Sequence, residues 1–295
     1  MEPRIAHLPG VELAFDTFGP AEGPTVLLLA GNGCSAVFWP EAFCSALSRA
    51  CGLGVVRYDH RDTGRSTHGQ EYAAEDLAAD ALALLDHLGR PRAHLVGLSL
   101  GGFLAQAIAV EHPARVASLT VMMSTPDYGS LLEPFMEGRP SSSDLQALTP
   151  EFMAALVRIP ESLSFVDRLV ENWRAANGTR ARFDEAYWRA LQEEALQRGN
   201  DEASGAQHRT ASLRSAWRDL RPRLRALDVP ALVLHGTEDP IFPPAHARAT
   251  AAAIPGAQLR LVDGLGHALN PDFFEEIVGA LAAHVRHAGE SGERA

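Results

Sequence analysis

The chain has 295 residues, with 26 arginines and no lysine against 37 acidic residues, a formal net charge of -11 and a pI near 5.5. That balance provides no basic face for nucleic acid or an anionic membrane, and the missing amine excludes a Schiff-base lysine, a pyridoxal-phosphate attachment and a Walker-type phosphate loop. The length suits one large α/β domain with an insertion, or two modest domains, and the expected partner is a small molecule.

In chain order, Met1-Glu2-Pro3-Arg4 leads into no apolar run, so no secretory signal is expected. Val11–Phe18 alternates apolar and polar residues as a half-buried edge strand does, and a Gly/Pro-rich turn follows. Residues 25–30 are solidly apolar, the pattern of a central parallel strand covered on both faces. The run ends in Gly31-Asn32-Gly33, a turn that presents backbone N–H groups at the carboxyl end of the sheet. Cys34, Cys44 and Cys51 are odd in number and form no C-x-x-C pair, which predicts reduced thiols in a cytoplasmic protein.

A helix is expected over 40–49 and a strand over Gly54–Tyr58. The charged loop Asp59-His60-Arg61-Asp62-Thr63-Gly64-Arg65-Ser66 comes next. Its neighbouring side chains point in different directions, so it reads as a self-bonded structural loop and not as a metal site. Leu77, Ala81, Leu84, Leu85 and Leu88 set a helix over 73–88, closed by Gly89 and Pro91.

Ala93–Leu98 is a short buried strand, and Gly97-Leu98-Ser99-Leu100-Gly101 is a G-x-S-x-G turn at its end. In such a turn the serine sits between strand and helix with its hydroxyl directed away from the sheet. A helix over 102–111 follows and stops before Pro113. The windows 24–40 and 93–110 approach membrane-spanning length, but glycines and polar residues break both, so buried core is expected. With a further strand over 116–123, the alternation implies right-handed crossovers and a mainly parallel sheet with helices on both faces.

Between 125 and 226 the strand-like runs vanish. Phe152-Leu156, Phe165-Leu169-Trp173, Tyr187-Leu191 and Leu213-Trp217-Leu220 have helical spacing instead. So long a stretch is no simple crossover, so residues 125–225 are expected to form a helical cap over a core built from 1–124 and 226–295. Residues 139–143 and 199–205 are expected to be flexible loops within it. The α/β rhythm returns with a strand over 231–235, ending in Gly236-Thr237-Glu238-Asp239-Pro240. Ala245–Ala253 reads as a helix and Gln258–Val262 as the last strand. Gly264-Leu265-Gly266-His267 then leads to a final helix, capped by Asn270 and started by Pro271. On that helix His284 and His287, three apart, are expected on a solvated face.

Ser99, Asp239 and His267 thus occur in the order nucleophile, acid, base, each just after a strand of one parallel sheet. Parallel strands present their carboxyl ends on one edge, so three residues distant in sequence meet there. A serine hydroxyl becomes a nucleophile when a base takes its proton, which is the role expected of His267, oriented by Asp239. The backbone N–H groups of Asn32 and Leu100 are the expected oxyanion donors. Glu238 and Asp127 are rival acids, of which Asp127 lies just after the 116–123 strand.

Gly97-Leu98-Ser99-Leu100-Gly101-Gly102, Asp239-Pro240 and Gly266-His267 resemble the α/β-hydrolase superfamily over 1–124 and 226–295. More narrowly, the stretch from Arg57 to Thr67, Gly31-Asn32 and Gly264-Leu265-Gly266-His267-Ala268-Leu269 resemble the aclacinomycin methylesterase group, which removes a methyl ester from anthracycline polyketides. That resemblance implies an α/β-hydrolase fold with Ser99, His267 and Asp239 as its triad, Asn32 and Leu100 as oxyanion donors, and no cofactor or metal. The chain departs from the pattern at Ala30, where a histidine is common, and at Asp62, where a glycine is common.

The expected function is hydrolysis of a carboxylic ester of a bulky aromatic polyketide, with Phe103, Met123, Phe135, Trp173 and Trp217 as candidate pocket walls. Cofactor-free peroxide chemistry or C–C bond cleavage on the same triad, and ligand binding without hydrolysis, are the competing readings. Epoxide hydrolase and haloalkane dehalogenase chemistry needs a carboxylate where Ser99 stands.

Overall fold

The computed structural model describes residues 2–136, 138 and 140–292. Its strands are β1 (Arg4–Leu8), β2 (Val11–Phe18), β3 (Thr25–Leu29), β4 (Gly54–Tyr58), β5 (Ala93–Leu98), β6 (Val116–Met122), β7 (Ala231–Gly236) and β8 (Gln258–Val262). They form one sheet in the order β1-β2-β4-β3-β5-β6-β7-β8. β1 and β2 run antiparallel at one edge, and every pairing from β4 to β8 is parallel.

The apolar runs supply the layers. Along β3, Val26 and Leu28 enter one buried cluster while Leu27 and Leu29 enter the other, because alternate side chains leave a strand on opposite faces. Helices α1 (Glu41–Cys51) and α11 (Phe274–Gly292) cover the first face through Phe43, Leu47, Ile277, Leu281 and Val285. On the other, α2 (Ala74–His87) and α3 (Leu100–Glu111) contribute Leu77, Leu84, Leu104 and Ile108. A parallel sheet covered on both sides is the arrangement the continuous apolar strands require.

Between β6 and β7 the chain forms α4 (Tyr128–Met136), α5 (Pro150–Val157), α6 (Phe165–Ala176), α7 (Glu185–Gln197), α8 (Ala206–Arg214) and the single turn α9 (Arg221–Leu224). The spacings Phe152-Leu156, Phe165-Leu169-Trp173 and Tyr187-Leu191 are realised as α5, α6 and α7, but Leu213-Trp217-Leu220 is not: α8 ends at Arg214, and Trp217 and Leu220 lie in the non-helical connection to α9. Thr149, Ser164 and Asp184 start α5, α6 and α7 by accepting a backbone N–H on the side chain. Helix α10 (Ala245–Ala253) joins β7 to β8. No helix among the described residues is long and apolar enough to cross a membrane.

Several expectations are corrected. β1 was not foreseen, because only Ala6 of its five residues is buried and its alternation is weak. Helix α3 begins at Leu100, directly after Ser99, and not at 102. His284 is buried, with its Nε2–H directed at the Leu119 carbonyl at 3.2 Å, because α11 packs on α1 and β6; His287 is exposed as expected. Arg139, in one of the expected flexible loops, lies outside the described residues. The other, 199–205, is bonded closely to the sheet's carboxyl edge, as the next subsection describes.

Candidate active site

Ser99 sits at the end of β5 with φ 56° and ψ -120°, a region a side-chain-bearing residue adopts only when its surroundings impose it. The surroundings do so from both sides. Ser99 N–H donates to the Met122 carbonyl at 3.0 Å, and its carbonyl accepts from Ser124 Oγ at 2.6 Å. A Cβ on Gly97 would lie 2.1 Å from the Gly101 carbonyl oxygen, and one on Gly101 would lie 2.2 Å from that of Leu29. These two glycines are therefore steric conditions for the turn. Ser124 was not singled out by the sequence; a polar residue directly after an apolar strand was the available signal.

The Gly31-Asn32-Gly33 turn lies against the serine, since a Cβ on Gly31 would come within 3.4 Å of Ser99 Cβ. Cys34 N–H closes the turn on the Gly31 carbonyl at 3.2 Å. The N–H of Leu100 opens α3 and so has no acceptor within the helix. Neither it nor the Asn32 N–H has an acceptor among the described residues.

Asp239 follows β7 and is fully buried. Its Oδ1 accepts the backbone N–H groups of Ile241 and Phe242, both at 2.9 Å, which aims Oδ2 at His267. His267 Nδ1–H donates to that oxygen at 2.9 Å, so the proton resides on Nδ1 and the Nε2 lone pair faces away from the acid. Burial raises the Asp239 carboxyl, but the His267 and His235 imidazoles and the Phe242 N–H outweigh it and hold the group below the ordinary carboxylate range. His235 Nε2 lies 2.6 Å from the Phe242 carbonyl and 3.4 Å from Asp239 Oδ2, and burial pushes that imidazole down. It is a neutral donor that braces the acid loop.

The rival acids have other occupations. Glu238 accepts from Thr179 N–H at 2.5 Å, Thr179 Oγ1 at 2.9 Å and Arg180 Nε at 2.5 Å, which ties α6's end to β7. Asp127 starts α4 by accepting the Ser130 N–H at 3.4 Å. The charged loop is held as a structural unit. Asp59 accepts from Ala36 N–H at 2.6 Å and Arg65 N–H at 3.0 Å, and Arg61 is bidentate on Asp80. Asp62 adopts φ 63°, which explains why glycine suits that position; its carboxylate takes Gly69 N–H and Tyr72 Oη–H and holds the conformation. Burial pushes the His60 imidazole down to about 3, so it is a neutral core histidine.

The helices between β6 and β7 reach each of these loops. The His267 N–H donates to the Ala176 carbonyl at 2.8 Å, and Leu148 and Thr149 donate to Ile241 and Pro240 beside Asp239 at 2.7 and 2.8 Å. A buried ionic cluster lies below: Arg198 meets both Asp59, at 2.9 Å, and Asp16, at 3.0 Å, while Arg57 pairs with Asp16 at 2.9 Å. With Ser99 at 8% exposure and His267 at 4%, the site is covered by protein.

Of the candidate wall residues, Phe103 lies one turn into α3, fully buried, 5.7 Å from the Tyr128 ring; Tyr128 meets Phe242, which meets His267 at 5.6 Å. Met123 is buried at the end of β6 with φ 39°. Trp173 is half-buried in a stack of rings, 4.9 Å from Phe38 and 5.4 Å from Trp188, and Trp188 clusters with Ala268 beside the histidine. Phe38 and Trp188 were not anticipated, since ring spacing alone does not show which helices meet. The side chain of Phe135 lies outside the described residues. Trp217 is set apart from the other candidates: its indole N–H donates to Glu111 at 3.0 Å, at the far end of α3 and roughly 16 Å along the axis from the serine turn. It packs between the insertion and the α2–α3 face, where a large apolar ring has core to cover.

Residues 24–273 match a protein family described as alpha/beta hydrolase fold. The rhodomycin D methylesterase DnrP of Streptomyces peucetius is 35% identical over 280 residues, covering 91% of this chain and 93% of that protein. Among solved structures, a hydrolase from Pseudomonas aeruginosa PA01 superposes with a TM-score of 0.71 at 26% identity over 94% of this chain and 95% of that one. The enol-lactonase from Burkholderia xenovorans LB400 does so with 0.72 at 23% identity, over 96% and 100%, and speaks for the fold alone.

Proposed function

The chain belongs to the alpha/beta hydrolase fold family and is a carboxylic ester hydrolase, and from that premise we propose that it cleaves a methyl ester of a bulky aromatic polyketide through Ser99, His267, Asp239 and an acyl-enzyme. The observation that carries the reading is the Asp239–His267 hydrogen bond of 2.9 Å, with the second carboxylate oxygen held by two backbone N–H groups. It leaves the His267 Nε2 lone pair available to take a proton.

In this mechanism Ser99 Oγ bonds to the ester carbonyl carbon as its proton passes to His267 Nε2, while Asp239 stabilises the imidazolium. The oxyanion rests on the Asn32 and Leu100 N–H groups. The C–O bond to methoxide then breaks, Nε2–H returns the proton, and methanol departs. Water attacks the acyl-enzyme by the same proton path, releasing the free acid and restoring Ser99. Residues 125–225 act as a cap over the core of 1–124 and 226–295, and its Trp173, stacked with Phe38 and Trp188, forms an aromatic wall beside the His267 loop for a planar acyl group. Phe103 and Met123 fill the floor below. The bulky group is the acyl part, because only methanol leaves.

The test compares wild type with Ser99→Ala on methyl esters of polycyclic aromatic acids and of short aliphatic acids. Wild type is expected to release one methanol per acid formed and to favour the aromatic series. Ser99→Ala is expected to lose kcat by on the order of 10⁶-fold. Equal hydrolysis by the variant would show that Ser99 is not the nucleophile, and a preference for the aliphatic series would overturn the substrate class.

A further inference from the structure

Gly33 has φ 67° and lies next to Asn32 in the turn against Ser99. Both of its backbone groups are held by side chains from the insertion. Its N–H donates to His208 Nδ1 at 3.1 Å, and its carbonyl accepts from Asn200 Nδ2 at 3.0 Å. The other ends of these two side chains hold the charged loop. His208 Nε2–H donates to the Arg61 carbonyl at 2.9 Å, and Asn200 Oδ1 accepts the Gly64 N–H at 3.3 Å.

A carbonyl only accepts, so His208 must carry its proton on Nε2, which leaves Nδ1 as a lone pair for Gly33. Burial pushes this imidazole down and favours that neutral form. His208 is fully buried and Asn200 nearly so. Backbone packing closes the joint. A Cβ on Gly205 would fall 2.2 Å from Gly33 Cα, a Cβ on Gly199 would fall 2.8 Å from the Gly64 carbonyl oxygen, and Gly205 N–H donates to the Asp62 carbonyl at 2.6 Å. A turn with two glycines has wide conformational freedom, and an oxyanion donor works only when already aimed.

We propose that His208 and Asn200 are positioning residues of the oxyanion turn: by clamping both backbone groups of Gly33 they fix the direction of the Asn32 N–H. The inference rests on the assignment of Asn32 as an oxyanion donor. It makes the insertion part of the chemical step as well as a cover for the substrate.

The test uses 4-nitrophenyl acetate, a substrate too small to need the insertion for binding, with a trifluoromethyl ketone as a probe that forms a tetrahedral oxyanion on the serine. Asn200→Ala and His208→Phe are expected to lower kcat by about 10- to 100-fold, below the 10²- to 10³-fold typical of losing a donor outright. KM should stay within about twofold, and affinity for the ketone should fall in step with kcat. His208→Asn places an amide oxygen close to the position of Nδ1 and should recover much of the loss; His208→Gln, which reaches Arg61 but not Gly33, should not. If folded Asn200→Ala keeps wild-type kcat and ketone affinity while Ser99→Ala is inactive, the clamp is refuted and the triad stands. If His208→Phe does not fold, Asn200→Ala and the Asn–Gln contrast at 208 decide. Full activity in Ser99→Ala would overturn both readings.

Discussion

The loops at the carboxyl edge of the sheet and the helices between β6 and β7 differ in how they are held: the loops pack largely backbone on backbone, the helices largely by side-chain hydrogen bonds. At the edge, backbone meets backbone. Gly97, Gly101 and Gly236 each sit where a Cβ would come within 2.2 Å of a main-chain carbonyl oxygen of the core. The insertion reaches the same loops mainly through individual hydrogen bonds and one buried ionic cluster, with close backbone approaches at Gly199, Gly205 and Gly266. A steric contact of the first kind admits a single residue type and so writes itself into the sequence. A contact of the second kind leaves no such mark: Asn200 and His208 meet Gly33 across 167 and 175 residues of chain.

Apart from Ser99, the largest loss is expected at Asp239. In Asp239→Asn the Oδ1 contacts to Ile241 and Phe242 survive, but an NH₂ faces His267 and demands the wrong tautomer. Activity is expected to fall by about 10⁴-fold while the folded state persists, as initial rates and a denaturation curve on the same preparation would show. Loss of folding in place of loss of rate would mean that the edge loops depend on this side chain for structure.

The insertion's own anchor predicts the reverse pattern. Arg198→Met leaves Asp59 and Asp16 buried beside one remaining guanidinium, that of Arg57 on Asp16. Breaking such a buried pair costs about 3–5 kcal/mol, to be measured by urea unfolding. A change below 1 kcal/mol would show that water or a shifted side chain takes up the charge, and that the cluster is no anchor.

The smallest effect is expected at Trp217, which belongs to the insertion yet lies away from Ser99. Trp217→Phe removes the indole N–H from Glu111 and should cost about 1 kcal/mol of stability. Steady-state rates should match wild type within twofold. A marked change in kcat would place this ring in communication with the site.

What could be read from the chain follows the same division. The apolar runs of β3 and β5 and the glycines around Ser99 declared the parallel sheet and its serine turn, because burial on two faces and crowding at a turn restrict composition locally. β1 escaped because an edge strand with one buried residue carries almost no alternation. His284 was misread because helical spacing says which residues share a face but not what that face meets; here it meets β6. The stretch 199–205 looked like a loose connection for its glycines, whereas Gly199 and Gly205 are there to let two backbones touch. Trp217 and Trp173 have indistinguishable surroundings in sequence, and only the packing of the helices separates a groove-filling ring from one stacked beside the histidine loop.

Ser99 is the proposed activated nucleophile. Intact-mass analysis after treatment with a fluorophosphonate, with peptide mapping of the product, tests that role without knowledge of the natural ester. One phosphonyl group per chain is expected, located on Ser99, with labelling slowed by orders of magnitude in His267→Gln. A native protein that stays unlabelled, or carries the group on another residue at an undiminished rate in that variant, would contradict that role.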